Sequence, residues 1–141
     1  LILGEGELRA EFEALLAYLG LNDVVDLPGF DANPYAYFKY ASLFVLSSNW
    51  EGLPGVLIQA LASKVKVVST NCPSGPVEIL ENSKFGLLVE CNDQAGLTQA
   101  MRQAIFADYV QYQEADFEAH IQQFHKQTVL KQYLRMMESA A

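Results

Sequence analysis

Glu51 and Gln59 stand eight positions apart in the stretch NWEGLPGVLIQ, with Gly52, Leu53 and Pro54 between them. A carboxylate here can accept hydrogen bonds from ligand hydroxyls or stabilise positive charge that develops nearby. Pro54 suits the first position of a helix, where a missing N–H costs nothing and the first-turn amides lack helical partners. Such amides can hold a phosphate. Asn49 belongs to the loop just before them. A plainer reading stays open: Glu51 is a favourable negative charge ahead of a helix. Gln59 then sits in the second turn, on one face with Val56 and Ser63, exposed like most helical glutamines. Leu57, Ala60 and Leu61 suit the core.

Other segments carry ligand-binding residue types. Gly4 and Gly6 flank Glu5, and glycines let a backbone approach a ligand and present its amides. The three-glycine dinucleotide fingerprint is absent, so a tight strand-to-helix turn explains them equally. Gly75, between Ser74 and Pro76, can present an amide, and Glu78 can meet a ligand hydroxyl. The alternative is a turn before a short helix with Glu78 in its first turn. His120 and His125 lie five apart, share no helical face and have no third ligand nearby, so no metal site is expected. They read as exposed helical histidines, and Lys64 and Lys66 as solubilising charge.

The elements that position these loops follow from apolar patterning. Leu1–Leu3 reads as a strand end, and Leu8, Phe12, Leu15, Leu16 and Leu19 form one helical stripe closed by Gly20. Val24–Leu27 reads as a short strand before Pro28-Gly29. Asn33-Pro34 opens a short helix packed by Tyr35, Tyr37, Phe38 and Tyr40. Leu43–Leu46 is apolar without alternation, as in a parallel strand covered on both faces. A helix from Pro54 to about Ser63, a strand at Val65–Val68, a turn or short helix at Val77–Asn82 and a strand at Gly86–Val89 complete the alternation. That order predicts a doubly wound α/β fold: a parallel sheet with helices on both faces. Ligands in such sheets bind beyond the C-terminal strand ends. Residues 4–6, 47–54 and 70–76 fall there, with 90–93 at the rim. From Asp93 the pattern is helical to the end. Val110, Phe117, Ile121, Phe124 and Thr128 form one packing face, thickened by Phe106, Tyr109 and Tyr112. Residues 1–92 therefore read as a Rossmann-like core domain and 93–141 as C-terminal helices packing on it.

Composition narrows the function classes. The 141 residues are 51% hydrophobic, enough for a core, and carry a formal charge of -8. Acidic balance disfavours nucleic acid and anionic membranes as partners. Cys72 and Cys91 show no metal spacing and read as free thiols in a reducing compartment. No apolar run reaches membrane-spanning length, and no signal peptide is legible. The chain begins Leu-Ile-Leu-Gly, as if within a strand, which reads as a piece of a longer protein.

Taken together, LGEGELR, LPGF, NPYAYFKYASLFVLSSNWEGLPGVLIQALAS, VKVVSTNCPSGPVEIL and GLLVE resemble the C-terminal, donor-binding domain of the family-4 (group 1) glycosyltransferases. The resemblance covers about Leu1 to Asp93 and keeps motif order and spacing. It implies one half of a GT-B enzyme, two Rossmann-like domains facing across a cleft, whose first strand and helix would precede Leu1. It implies sugar transfer from a UDP- or GDP-sugar with retention of configuration. The acceptor would be a glycan or lipid-linked sugar gripped by a separate N-terminal domain. Neither cofactor nor metal is implied, and the fragment alone would be inactive. Pathways of capsule, lipopolysaccharide and other surface polysaccharide, and a cytoplasmic protein peripheral to the inner membrane face, fit the same family. A sheet edge left open by the absent strand would favour self-association.

By resemblance, Glu51 matches the first acid of the family's two-glutamate motif, beside the donor sugar. Position 59 matches the second, which holds the ribose hydroxyls. Gly52, Leu53 and Pro54 match the helix start near the diphosphate, Gly4 and Gly6 the glycine turn at the cleft, and Ser74, Gly75 and Glu78 a loop beside the donor. This sequence departs from the pattern at Gln59, which can donate or accept but lacks charge. It departs again at Lys64 and Lys66, where Gly and Pro are usual; a left-handed lysine there costs about 1 kcal/mol. A nucleotide-sugar epimerase of the same architecture, and a catalytically inert nucleotide-sugar-binding or structural module, are the competing readings.

Overall fold

The computed structural model describes residues 1–107 and 112–139; Tyr109 and Val110 of the predicted packing face lie outside the described residues. Contacts divide the chain into two units, Leu1–Ala36 and Tyr37–Ala141.

In the first unit, helix α1 (Arg9–Leu19) forms as its stripe predicts and ends where Gly20 turns left-handed at φ 66°. Leu8, Phe12, Leu15 and Leu19 on that stripe are exposed. The two predicted strands do not form. Leu3 and Gly29 make one isolated parallel bridge, flanked by Ile2 N–H donating to Asp26 O at 2.9 Å and Gly4 N–H donating to Gly29 O at 2.8 Å. Pro28 supplies no N–H and Gly4 leaves the extended region at φ 129°, so the pairing cannot lengthen into a ladder. Arg9 gathers this unit: it pairs with Glu5 at 2.6 Å and Glu13 at 2.8 Å, and donates to Leu27 O at 2.8 Å.

Helix α2 (Tyr35–Phe38) is one turn long. Of its predicted packing aromatics, Phe38 is buried, edge-on to Phe44 at 5.5 Å between ring centres, while Tyr35 and Tyr40 are exposed.

The second unit is built on three parallel strands in sequential order: β1 (Phe44–Leu46), β2 (Val67–Thr70) and β3 (Leu87–Val89). Phe44 pairs with Val67, and Val68 with Leu87. All four residues of β2 are buried, as an unalternating central strand requires. Val65, expected in β2, instead donates its N–H to Ala60 O and closes the preceding helix.

Successive residues of β2 face opposite sides, and both sides are covered. Val67 packs with Leu57, Leu61, Ile79 and Phe85. These come from α3 (Gly55–Ala62), α4 (Pro76–Ile79) and the segment after it, with Phe117 of α6 (Glu114–Gln122) joining them. Val68 packs with Ala100 and Ala104 of α5 (Gln94–Phe106). The predicted doubly wound arrangement is thus present around three strands. Helix α7 (Lys126–Ser139) follows. The region after Asp93, expected to be continuously helical, breaks at Ala107, whose backbone is extended.

The two lysines differ: Lys64 is exposed, as a solubilising charge would be, and Lys66 is half-buried. Lys64 is left-handed at φ 58°, as the replaced family glycine implied, and pairs with Glu114 and with Glu118 at 3.7 Å. Lys66 Nζ donates to Ala104 O at 2.8 Å, placing a cation on the C-terminal turn of α5. At the other end of α5, Asp93 accepts from Gly96 N–H at 2.8 Å. Asp93→Ala is expected to cost about 1 kcal/mol, read as a lower urea midpoint at unchanged slope.

Candidate functional site

Parallel pairing brings the C-terminal ends of β1, β2 and β3 to one edge, so the loops after them are neighbours despite their separation in sequence. Side-chain contacts tie them together. Thr70, ending β2, donates its hydroxyl to the carbonyl of Ser48, in the loop after β1. Cys91, in the loop after β3, lies with Sγ 3.9 Å from the same carbonyl. Asn71 N–H donates to Val89 O at 2.7 Å.

Glu51 is half-buried on the β1 loop, and Ser48 Oγ donates to its Oε1 at 2.7 Å. Pro54 is buried with extended ψ of 98°, so it occupies the cap position and Gly55 is the first helical residue. That is one position later than expected. Leu57 and Ile58 N–H donate to Pro54 O, which leaves the amides of Gly55 and Val56 as the donors at this helix start.

Gly75 closes the site from the β2 loop. It is buried, at φ 81° and ψ -68°, and a Cβ there would run into Gly52 O and Pro54 Cδ. Only glycine allows the two loops this approach. Asn49, Gly52, Leu53, Ser74 and Glu78 are exposed around it. Gln59 is half-buried on α3, and no hydrogen bond joins it to Glu51 among the described residues. Gly4 and Gly6 lie in the first unit, exposed.

The family model described as glycosyl transferases group 1 matches residues 1–135, nearly the whole chain. The chain belongs to the group 1 glycosyl transferases. An uncharacterized glycosyltransferase of Methanocaldococcus jannaschii is 45% identical over 80 residues, covering 57% of this chain and 20% of that protein. A diphospho-undecaprenol-linked 4-alpha-N-acetylgalactosaminyltransferase of Campylobacter jejuni is 42% identical over 101 residues, or 72% of this chain and 28% of the enzyme. Among solved structures, the lipopolysaccharide outer core galactosyltransferase WaaB in apo form superposes with TM-score 0.83 at 22% identity, over 99% of this chain and 40% of that one. A TarM variant of S. aureus, in complex with Fondaparinux, alpha-GlcNAc-glycerol and UDP, gives TM-score 0.83 at 24% identity over 95% of this chain and 28% of that one. These likenesses show the fold, one Rossmann-like half of a GT-B architecture, and the group 1 domain spans well under half of the relatives it matches.

Within this group 1 domain, two residues beside Glu51 escaped the sequence reading. Ser48 carries the readable signal, a serine three residues before a glutamate, the spacing of a capping box used here without a helix. Thr70 carries none, since its partner is 22 residues away. Cys72 is buried nearby, and burial, with Cys91 and Glu51 close by, raises its thiol above the ordinary value, so it is an inert thiol.

His120 corrects the expectation of exposed histidines. It is buried, stacked on Phe85 at 4.4 Å between ring centres, with Nε2 2.7 Å from Ile79 O. The carbonyl accepts, so Nε2 carries a proton, while Nδ1 faces Gln123 at 3.5 Å and Glu81 at 3.9 Å. Its relation to His125 hid this; His120 lies three residues after Phe117, on the packing face. Among the described residues no helix is long and apolar enough to cross a membrane.

Proposed function

We propose that this domain binds the nucleotide-sugar donor of a retaining glycosyltransferase, in a full-length protein whose other half supplies the acceptor site. The observation that carries the reading is the meeting of two loops at the sheet's C-terminal edge. Gly75 packs on Gly52 and Pro54 while Glu51 stands beside them, held by Ser48. An anionic diphosphate suits the free amides of Gly55 and Val56 at the start of α3. Glu51 would face the sugar, orient its hydroxyls and stabilise the positive charge that grows on the ring as the diphosphate leaves. Asn49, Ser74, Gly75 and Glu78 would line the donor. UDP or GDP is the expected nucleotide. The S. aureus TarM variant bound to UDP, and the pneumococcal O-GlcNAc transferase GtfA bound to UDP and GlcNAc, support a nucleotide of this class.

Isothermal titration of the full-length protein with UDP-N-acetylgalactosamine, UDP-galactose, UDP-glucose and GDP-mannose tests this. Saturable binding of at least one is expected, and binding of none would sink the reading. Gln59 provides a second measure. As a neutral amide it makes weaker bonds to ribose hydroxyls than a carboxylate does. Gln59→Glu is expected to preserve donor affinity or raise it by about three- to tenfold, seen as a lower Kd in the same titration. A tenfold loss would separate position 59 from the ribose.

A further inference from the structure

We propose that Ser48 is a positioning residue for Glu51, and that the sheet itself, through Thr70, holds Ser48 in place. The proposal rests on the reading of Glu51 as the carboxylate that faces the donor sugar. Ser48 Oγ donates to Glu51 Oε1 at 2.7 Å, and Oε2 is left without a hydrogen-bond partner among the described residues. One oxygen is thus tethered and the other is available to a ligand. A glutamate on an exposed loop would otherwise sample many rotamers and lose that freedom each time a ligand bound. A carboxylate fixed beforehand stabilises developing charge without reorganising.

The tether matters only if Ser48 is itself fixed, and it is. Its carbonyl accepts from the hydroxyl of Thr70, a residue only 4% exposed. Thr70 is paired in register with Val89 of β3. Cys91 Sγ approaches the same Ser48 carbonyl from beyond β3. The line from sheet to reacting centre is therefore short: paired strand, buried hydroxyl, loop carbonyl, serine hydroxyl, carboxylate. A paired strand places its neighbours more precisely than a loop does by itself.

The test uses the full-length protein and follows nucleotide release from UDP-N-acetylgalactosamine, UDP-galactose, UDP-glucose and GDP-mannose, with water as acceptor. Ser48→Ala is expected to lower kcat about tenfold and to leave KM for the donor within about twofold. Ser48→Thr keeps the hydroxyl and recovers most of the rate. In a Glu51→Gln background, Ser48→Ala adds less than about threefold, because the two residues act as one unit. Ser48→Cys, similar in size but a weak donor, gives the same loss and stands in where the alanine variant unfolds. Full kcat in Ser48→Ala beside an impaired Glu51→Gln removes Ser48 and leaves the role of Glu51 intact. Full additivity of the two substitutions, or no rescue by threonine, also overturns the tether. An unimpaired Glu51→Gln, or no release from any of the four donors, overturns the reading of Glu51 and this proposal with it.

Discussion

Glu51→Gln in the full-length protein is expected to lower sugar transfer by about a hundredfold or more, with donor KM little changed. Gln is nearly isosteric, and its carbonyl can still accept from Ser48 Oγ, so the loop keeps its shape. What disappears is the negative charge. Charge on the sugar ring is small in the bound donor and large in the transition state, so the loss falls on kcat rather than on binding. Thermal and urea midpoints should move by less than the equivalent of about 0.5 kcal/mol, which separates lost chemistry from lost structure. Initial rates at saturating donor decide the matter; turnover equal to that of the parent protein takes Glu51 out of the mechanism.

Gly75→Ala is expected to be the most damaging single-methyl change in the domain. Its backbone sits at φ 81° and ψ -68°, the strained γ-turn region, where an L-residue costs about 1–2 kcal/mol. The added methyl also meets Gly52 O and Pro54 Cδ, a backbone atom and a rigid ring that cannot rotate away. Overpacking of this kind costs about 1–3 kcal/mol, so a total loss of about 2–5 kcal/mol is expected in urea unfolding. Because the clash pushes on the Glu51 loop, nucleotide-sugar affinity should fall as well. Gly52→Ala is the control. A Cβ at Gly52 meets nothing within 4 Å and its backbone needs no positive φ, so its stability should stay near that of the parent. Equal stability of the two variants would show that the loops do not bear on each other.

Local periodicity was enough to announce the three strands and α3 of the second unit, but not the break after α5. The unalternating apolar stretch Leu43–Leu46 announces a strand, which forms over Phe44–Leu46 and is half-buried, and Leu57, Ala60 and Leu61 mark the face of α3 that is buried. The left-handed turn at Lys64 was also legible, because glycine is usual at that position in the family. The strands foreseen at Leu1–Leu3 and Val24–Leu27 were not realised as a ladder, since residue type alone does not reveal that Pro28 and Gly4 interrupt pairing at the point of contact. His120 was misjudged because its burial depends on Phe85 and Ile79, which reach it from another part of the chain.

By itself the sequence determined the fold class, the family and the loop that carries Glu51, because helix and strand periods and motif spacings are local properties written along the chain. Only the tertiary structure decided that Gly75 abuts Gly52 and that Thr70 grips Ser48, the local partner of Glu51. Those contacts depend on the register between β1 and β2 and on what lies above their C-terminal ends. Register is a long-range outcome of packing both sheet faces at once, and no stretch of neighbouring residues encodes it.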